Sequence, residues 1–362
     1  MSVQQQHPNL IPMAQPPSIT LALPPSPPSL PFPESWLHTR YFHLSPLVYT
    51  ISMSYQCPLI ASILYFIITS TVSEVNKRRT LKPWALSRTA IFRRALVLHN
   101  VCLAVFSAWA CLSTYNVLLE VWPSRQDTLY QTRLADLLCL GDHFPPADER
   151  PQLSAHDIYQ PNVLFIGWTF YLSKLYEVLD SAILLAKGRR VSALHKYHHA
   201  GVIVCAWMAV RYASPPAIVA LLFNSAVHTV MYTYYTLTAL RVPPPLFTKA
   251  ALTSLQIAQF LIGVIIGGSF VFLQYQVSAP PVPYSTQPQG AIAASVLKSA
   301  TMTATGRDQM GAVWRNVRCV KTSEEAYPIW IGVSFVLFLL FMFVRFFVRA
   351  YLGPGLGTKK SL

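Results

Sequence analysis

Long apolar runs separated by short polar breaks, many marked by proline or by basic residues, set the character of this chain. Seven such runs, near residues 55–72, 95–119, 163–186, 195–213, 217–240, 251–274 and 327–348, approach or exceed the about 20 residues that a helix needs to cross a bilayer. The pattern predicts an all-α, multi-span membrane protein with seven transmembrane helices. Pro215-Pro216 and Pro243-Pro244-Pro245 leave so little chain between the fourth, fifth and sixth runs that these helices should form tight antiparallel hairpins. Residues 1–54 are rich in Pro, Gln and Ser without an apolar period, and read as a disordered tail. One domain is expected over 55–351, including a long polar loop at 277–326, with a short tail at 352–362.

Composition agrees with the pattern. Hydrophobic residues make up 53% and charged residues 12%, against about 25% charged in soluble domains. A net charge of +14 would suit a nucleic-acid binder, but the basic residues lie in groups between the apolar runs, where cytoplasmic loops collect them. The first loop carries Lys77, Arg78, Arg79, Lys82, Arg88, Arg93 and Arg94, and the third carries Lys187, Arg189 and Arg190; the second is net acidic. The positive-inside rule then makes the first and third loops cytoplasmic, leaves the N-terminus outside or lumenal, and puts the C-terminus in the cytoplasm. The 277–326 loop falls on the lumenal side despite its basic residues, as long loops do with less regard to charge. Six cysteines without CxxC spacing argue against a zinc module or a redox motif. Cys139 and Cys319 share the lumenal side in this topology, where an oxidising compartment leaves two readings open: a bridge, or two unpaired thiols.

Ionisable groups inside a bilayer are expensive and usually face the bundle interior. In the third run Lys174, Glu177 and Asp180 recur every three residues and would cover one side of a helix. The fourth run opens with His195, His198 and His199, spaced i, i+3, i+4 on one helical face. In the fifth, Asn224, His228, Met231 and Tyr235 form a stripe flanked by Tyr232 and Tyr234, and Asn224 stands one turn from His228, able to fix its tautomer. The sixth opens with Thr253, Gln256 and Gln259 on one side. Together these groups would line a polar chamber open to the cytoplasm, or, on the plainer reading, a buried packing network.

Three chemistries compete for the histidines. A His-box metal centre of the desaturase or hydroxylase kind needs more histidines than one cluster plus His228, since His7, His38, His43, His99, His143 and His156 form no second box. A channel or transporter would use the polar groups as a pathway, yet they gather from mid-depth to the cytoplasmic side, as in a blind tunnel. Nucleophilic catalysis suits neutral imidazole, because it attacks a thioester directly and the acyl-imidazole formed hands its acyl group onward. Cys205, two turns past His198 among apolar residues, is a weaker nucleophile, its thiolate disfavoured there.

His195-Lys-Tyr-His198-His199, Lys174-Leu-Tyr-Glu177-Val-Leu-Asp180-Ser181, the stretch from Asn224 to Tyr235 and the stretch from Thr253 to Phe260 together resemble the HxxHH, KxxExxDT, NxxxHxxMYxYY and TxLQxxQF boxes of the ELO family of very-long-chain fatty acid elongases. Ser181 replaces the family's Thr. The long N-terminal tail and the insertion-like loop at 277–318 are further departures that touch no motif. The resemblance implies a helical barrel of the second to seventh spans around an acyl tunnel closed at its lumenal end, the first span outside, and a lumenal disulfide. It also implies a condensing enzyme, an acyltransferase that joins acyl-CoA and malonyl-CoA into 3-oxoacyl-CoA with loss of CO2 and CoA, without metal or cofactor. His198 would be the nucleophile, His195, His199 and His228 its reactive neighbours, and Lys174, Glu177, Asp180, Asn224, Tyr232, Tyr235, Gln256 and Gln259 their support. Lys187, Arg189, Arg190, Arg241 and Lys249 are candidates for the CoA phosphates, with ordinary positive-inside charge as the alternative. Separate keto-reductase, dehydratase and enoyl-reductase partners would complete the cycle in the endoplasmic reticulum membrane. Homodimerisation is left open, and Lys359-Lys360 looks like a dilysine retrieval signal.

Overall fold

The computed structural model describes residues 46–140, 155–242, 244–245, 247–279, 313–321 and 323–352. The expected tail up to residue 45, most of the 277–326 loop and the Lys359-Lys360 signal lie outside these residues. Helices α1 (Pro46–Met53), α2 (Gln56–Arg78), α3 (Ala90–Val121), α4 (Tyr130–Leu138), α5 (Ala155–Tyr176), α6 (Leu179–Ala186), α7 (Ala193–Arg211), α8 (Ala217–Ala239) and α9 (Thr248–Ser269) precede two strands, β1 (Gln274–Ala279) and β2 (Val313–Arg318), and helix α10 (Ser323–Phe347) follows.

Five of these helices, α2, α3, α8, α9 and α10, are long and apolar enough to cross a membrane. The expected third and fourth spans are not among them, for a physical reason. Lys174, Glu177 and Asp180 dilute the third, which is also divided at Glu177-Val178 into α5 and α6, while the 19-residue α7 carries Lys196, Arg211 and three histidines. Two further expectations need correction. The fold is mostly helical rather than all-α, because β1 and β2 pair antiparallel, Gln274 opposite Arg318. The segment read as tail reaches into α1, where Met53 is 2% exposed. α1 is held by Trp168 donating to Ser52 Oγ, Tyr171 to the Ser52 carbonyl and Trp207 to the Met53 carbonyl; buried indole and phenol donors need such partners.

Around the site, α3 packs on α5 and α8, α5 on α7 and α8, α7 on α10, α10 on α9, and α9 on α8, while α2 lies against α6 and α7. Gly201 lets α7 and α10 approach closely, since a Cβ there would run into the Phe335 ring of α10. Ser192 caps α7 by accepting the His195 amide at 3.2 Å. The end of α6 closes in a Schellman turn, Arg189 N–H to the Leu184 carbonyl and Gly188 N–H to that of Leu185. Gly188 sits at φ 75° with the Lys82 backbone where a Cβ would be. Asn76, fully buried, ties this turn to α2 by donating to the Leu185 and Arg189 carbonyls and accepting the Trp84 indole N–H.

At the other end of the helices a disulfide joins Cys139, just past α4, to Cys319, just past β2. Tyr275 in β1 donates to Asp136 of α4 at 2.8 Å beneath it, in a cluster with Phe270, Val271, Val277, Val320 and Ile329. The bridge should show as faster migration on a non-reducing gel that Cys139→Ser abolishes. Removing it should cost about 2–4 kcal/mol of stability through the freed unfolded chain, read as a lower unfolding temperature in detergent.

Candidate functional site

The break between α5 and α6 builds the site. The α-helical ladder gives way there to three-residue bonds, Asp180 N–H to the Glu177 carbonyl and Ser181 N–H to that of Val178. Lys174 and Glu177, 1% and 2% exposed, form an ion pair at 2.7 Å. The Lys174 ammonium also donates to Asn224 Oδ1 at 3.2 Å and lies over the Phe170 ring. Asn224 Oδ1 in turn meets His228 Nδ1 at 3.1 Å. Since the amide oxygen can only accept, Nδ1 of His228 carries the proton and Nε2 keeps its lone pair.

Asp180 faces elsewhere. Its Oδ2 accepts from Tyr232 at 2.7 Å and its Oδ1 lies 2.8 Å from His99 Nε2. The carboxylate fixes His99 as the Nε2–H tautomer, which leaves Nδ1 to accept from the Tyr176 hydroxyl at 3.2 Å. Next to it, Ser181 Oγ contacts His195 Nε2 at 2.9 Å and the Tyr65 hydroxyl at 2.8 Å. His199 lies between its neighbours, its ring centroid 4.4 Å from that of His195, tilted to it, and 5.0 Å from that of His198, edge to face. Two buried atoms, Glu177 Oε2 and His199 Nδ1, have no hydrogen-bond partner among the described residues. No three His, Cys, Asp or Glu side chains among those residues are grouped as a metal's ligands would be.

Two cavities meet here. The more polar of them, about 1260 Å³, is lined by Glu177, Asp180, His195, His198, His199, His228, Tyr232, Tyr235 and Gln256, among others. An apolar one of about 250 Å³ follows Val202, Cys205 and Ala209 along α7 to Ala213 just past its end. His198, Asn224, Gln259 and Phe260 line both. The polar cavity also carries Lys187, Arg189 and Lys249, joined by Arg345 and Arg349 of α10 and the turn after it, whereas Arg190 and Arg241 are exposed and do not line it. Burial pushes the Lys187 ammonium below its ordinary value, and Arg189 adds repulsion.

Thus the twelve catalytic and supporting candidates named from sequence lie together, with Lys174 touching the cavity through Glu177 and Asn224. Sequence reasoning missed His99, Tyr65 and Tyr176, and the two arginines at 345 and 349. His99 offered a signal, as an imidazole within an apolar run; Tyr65 offered none, an aromatic among aliphatics.

Residues 50–359 match the model of the family described as ELO: GNS1/SUR4 family. The chain is similar to very long chain fatty acid elongase 6 of Drosophila melanogaster, 30% identical over 264 residues, 73% of this chain and 64% of the relative. It is 27% identical to very long chain fatty acid elongase 3 of Mus musculus over 286 residues, 78% of this chain and 79% of the relative. To the Homo sapiens elongase 3 it is 30% identical over 171 residues, 47% of this chain and 56% of the relative. The matches therefore span less than two thirds of the human and fly proteins.

The buried ion pair makes a sharp prediction. Glu177→Ala, which strands the Lys174 charge, should cost about 3–5 kcal/mol, measured as a lower unfolding temperature of the purified protein. Lys174→Met/Glu177→Leu should recover most of that loss, because breaking a buried pair costs more than replacing it.

Proposed function

The chain belongs to the ELO: GNS1/SUR4 family, and we propose that it is a fatty acid elongase that condenses a long-chain acyl-CoA with malonyl-CoA. One observation carries this reading: His198 stands where the apolar cavity meets the polar one. An acyl-CoA is itself divided in this way, hydrocarbon on one side and nucleotide on the other, with the thioester between. Seated with its chain along α7, it presents the thioester carbonyl to the His198 imidazole.

In the first step a ring nitrogen of His198 forms a bond to the thioester carbon, the carbon–sulfur bond breaks, and CoA leaves as the thiol after taking a proton. His195 and His199, with rings in succession beside His198, handle that proton. In the second step malonyl-CoA loses CO2 and its C2 attacks the acyl-imidazole. The imidazole is released as it regains a proton, and 3-oxoacyl-CoA forms, two carbons longer, with decarboxylation as the drive. His228, its Nδ1–H held by Asn224 and its Nε2 lone pair free, serves as a second basic imidazole in the same cavity. Lys187, Arg189, Lys249, Arg345 and Arg349 supply charge for the CoA phosphates.

The same reading has α5 with α6, and α7, cross the membrane beside the five apolar helices. The packing order α3, α5, α7, α10, α9, α8 and back to α3 supports a barrel around the acyl chamber. The protein then resides in the endoplasmic reticulum membrane with its C-terminus cytoplasmic, and works with separate reductases and a dehydratase.

Membranes expressing the chain should incorporate labelled malonyl-CoA into products two carbons longer than a suitable acyl-CoA, and His198→Ala should abolish this. Purified protein given acyl-CoA alone should carry the acyl mass on the peptide containing His198. Absence of incorporation across acyl-CoAs of graded length and unsaturation, with expression verified, would refute the reading.

A further inference from the structure

α2 turns most of its apolar side chains outward; Ile60, Ile63, Leu64, Phe66, Ile67 and Ile68 are each about half exposed. Tyr65 is the exception, 6% exposed, with its hydroxyl directed into the histidine cluster. That hydroxyl has two neighbours, Ser181 Oγ at 2.8 Å and the His195 carbonyl at 3.5 Å, and its ring lies 5.9 Å from that of His199. Ser181, 1% exposed, bridges Tyr65 to His195 Nε2 at 2.9 Å. Nothing in the condensation steps above employs Tyr65.

A serine hydroxyl has one proton to give. If Ser181 gives it to His195 Nε2, its oxygen is free to accept from Tyr65, and the neutral imidazole carries its own proton on Nδ1. In the reverse chain, His195 Nε2–H donates to Ser181, Ser181 to the Tyr65 oxygen, and Tyr65 must turn to the carbonyl at 3.5 Å. The shorter Tyr65–Ser181 contact favours the first direction. Without the Tyr65 hydroxyl, Ser181 retains a single side-chain partner and serves Nε2 equally well as donor or as acceptor. We propose that Tyr65 is a positioning residue for the histidine cluster: acting through Ser181, it fixes which ring nitrogen of His195 carries the proton. The first helix of the barrel reading, expected to pack outside, thereby acts on the chemistry.

Two measurements on purified full-length protein test this. The first compares wild type, Tyr65→Phe, Ser181→Ala and the double variant for kcat and for KM toward acyl-CoA, and it rests on the elongase reading. Each single variant should lower kcat about five- to tenfold, the worth of one neutral hydrogen bond, with KM unchanged. The double variant should be no slower than the slower single, because both break one chain. The second needs no turnover. Diethyl pyrocarbonate reacts with an unprotonated imidazole nitrogen, and mass spectrometry at fixed pH gives the rate at His195 relative to His228 in the same molecule. Tyr65→Phe should change that ratio severalfold, whereas a purely structural tyrosine would lower only the yield and the unfolding temperature. A ratio equal to wild type, or a kcat per folded molecule equal to wild type, overturns the inference. If wild type is inactive but the ratio shifts in Tyr65→Phe, the elongase reading falls and the role of Tyr65 stands.

Discussion

A lysine and a glutamate with almost no access to solvent, paired at 2.7 Å within the third apolar run, set the terms for everything around them. Neither charge is tolerable alone at such a position, so each recruits further polar groups: Asn224 for the lysine, Ser173 for the glutamate. Asn224 then orients His228. The run also ceases to be one continuous helix, and the break turns Asp180 and Ser181 toward different partners, Tyr232 with His99 for one and His195 with Tyr65 for the other. Five segments distant in sequence are fixed to one another by hydrogen bonds that begin in the eight residues from Lys174 to Ser181.

That arrangement places side chains which can move protons beside side chains which cannot. His195, His199 and His228 stand in a polar cavity supplied with basic groups, while the wall beyond His198 is Val202, Cys205, Ala209 and Ala213. α7 serves both regions, its first two turns polar and the rest apolar up to Arg211 at its end, which also explains why its hydropathy is lower than that of the five helices able to span a membrane by length and composition.

How far the sequence reveals this depends on where each partner sits. The four motifs stand out because a polar side chain in an apolar run is visible as such, and Asn224 and His228 are one helical turn apart. The interruption at Glu177 is invisible because no glycine or proline marks it; the cause lies in side-chain partners on other helices. His99 and Asp180 are 81 residues apart and Tyr65 and Ser181 are 116 apart, so their pairing emerges only when the helices are packed. β1 and β2 escaped notice because the alternation of Gln274–Ala279, with Tyr275 and Val277 buried, directly follows a long apolar run, and Val313–Arg318 carries no such alternation. The helix α1 is short, and what orders it is a set of three aromatic donors from α5 and α7.

The bond between Cys139 and Cys319 closes a covalent ring of chain 180 residues in span. Lys174, Glu177, Asp180, the histidines at 195, 198, 199 and 228, and Gln256 and Gln259 all belong to that ring. A single cut of the backbone anywhere between the two cysteines, including in the long stretch joining β1 to β2, therefore opens the ring without dividing the molecule. The four motifs stay on one covalent body under any such nick, and only reduction of the bridge as well would let the pieces part.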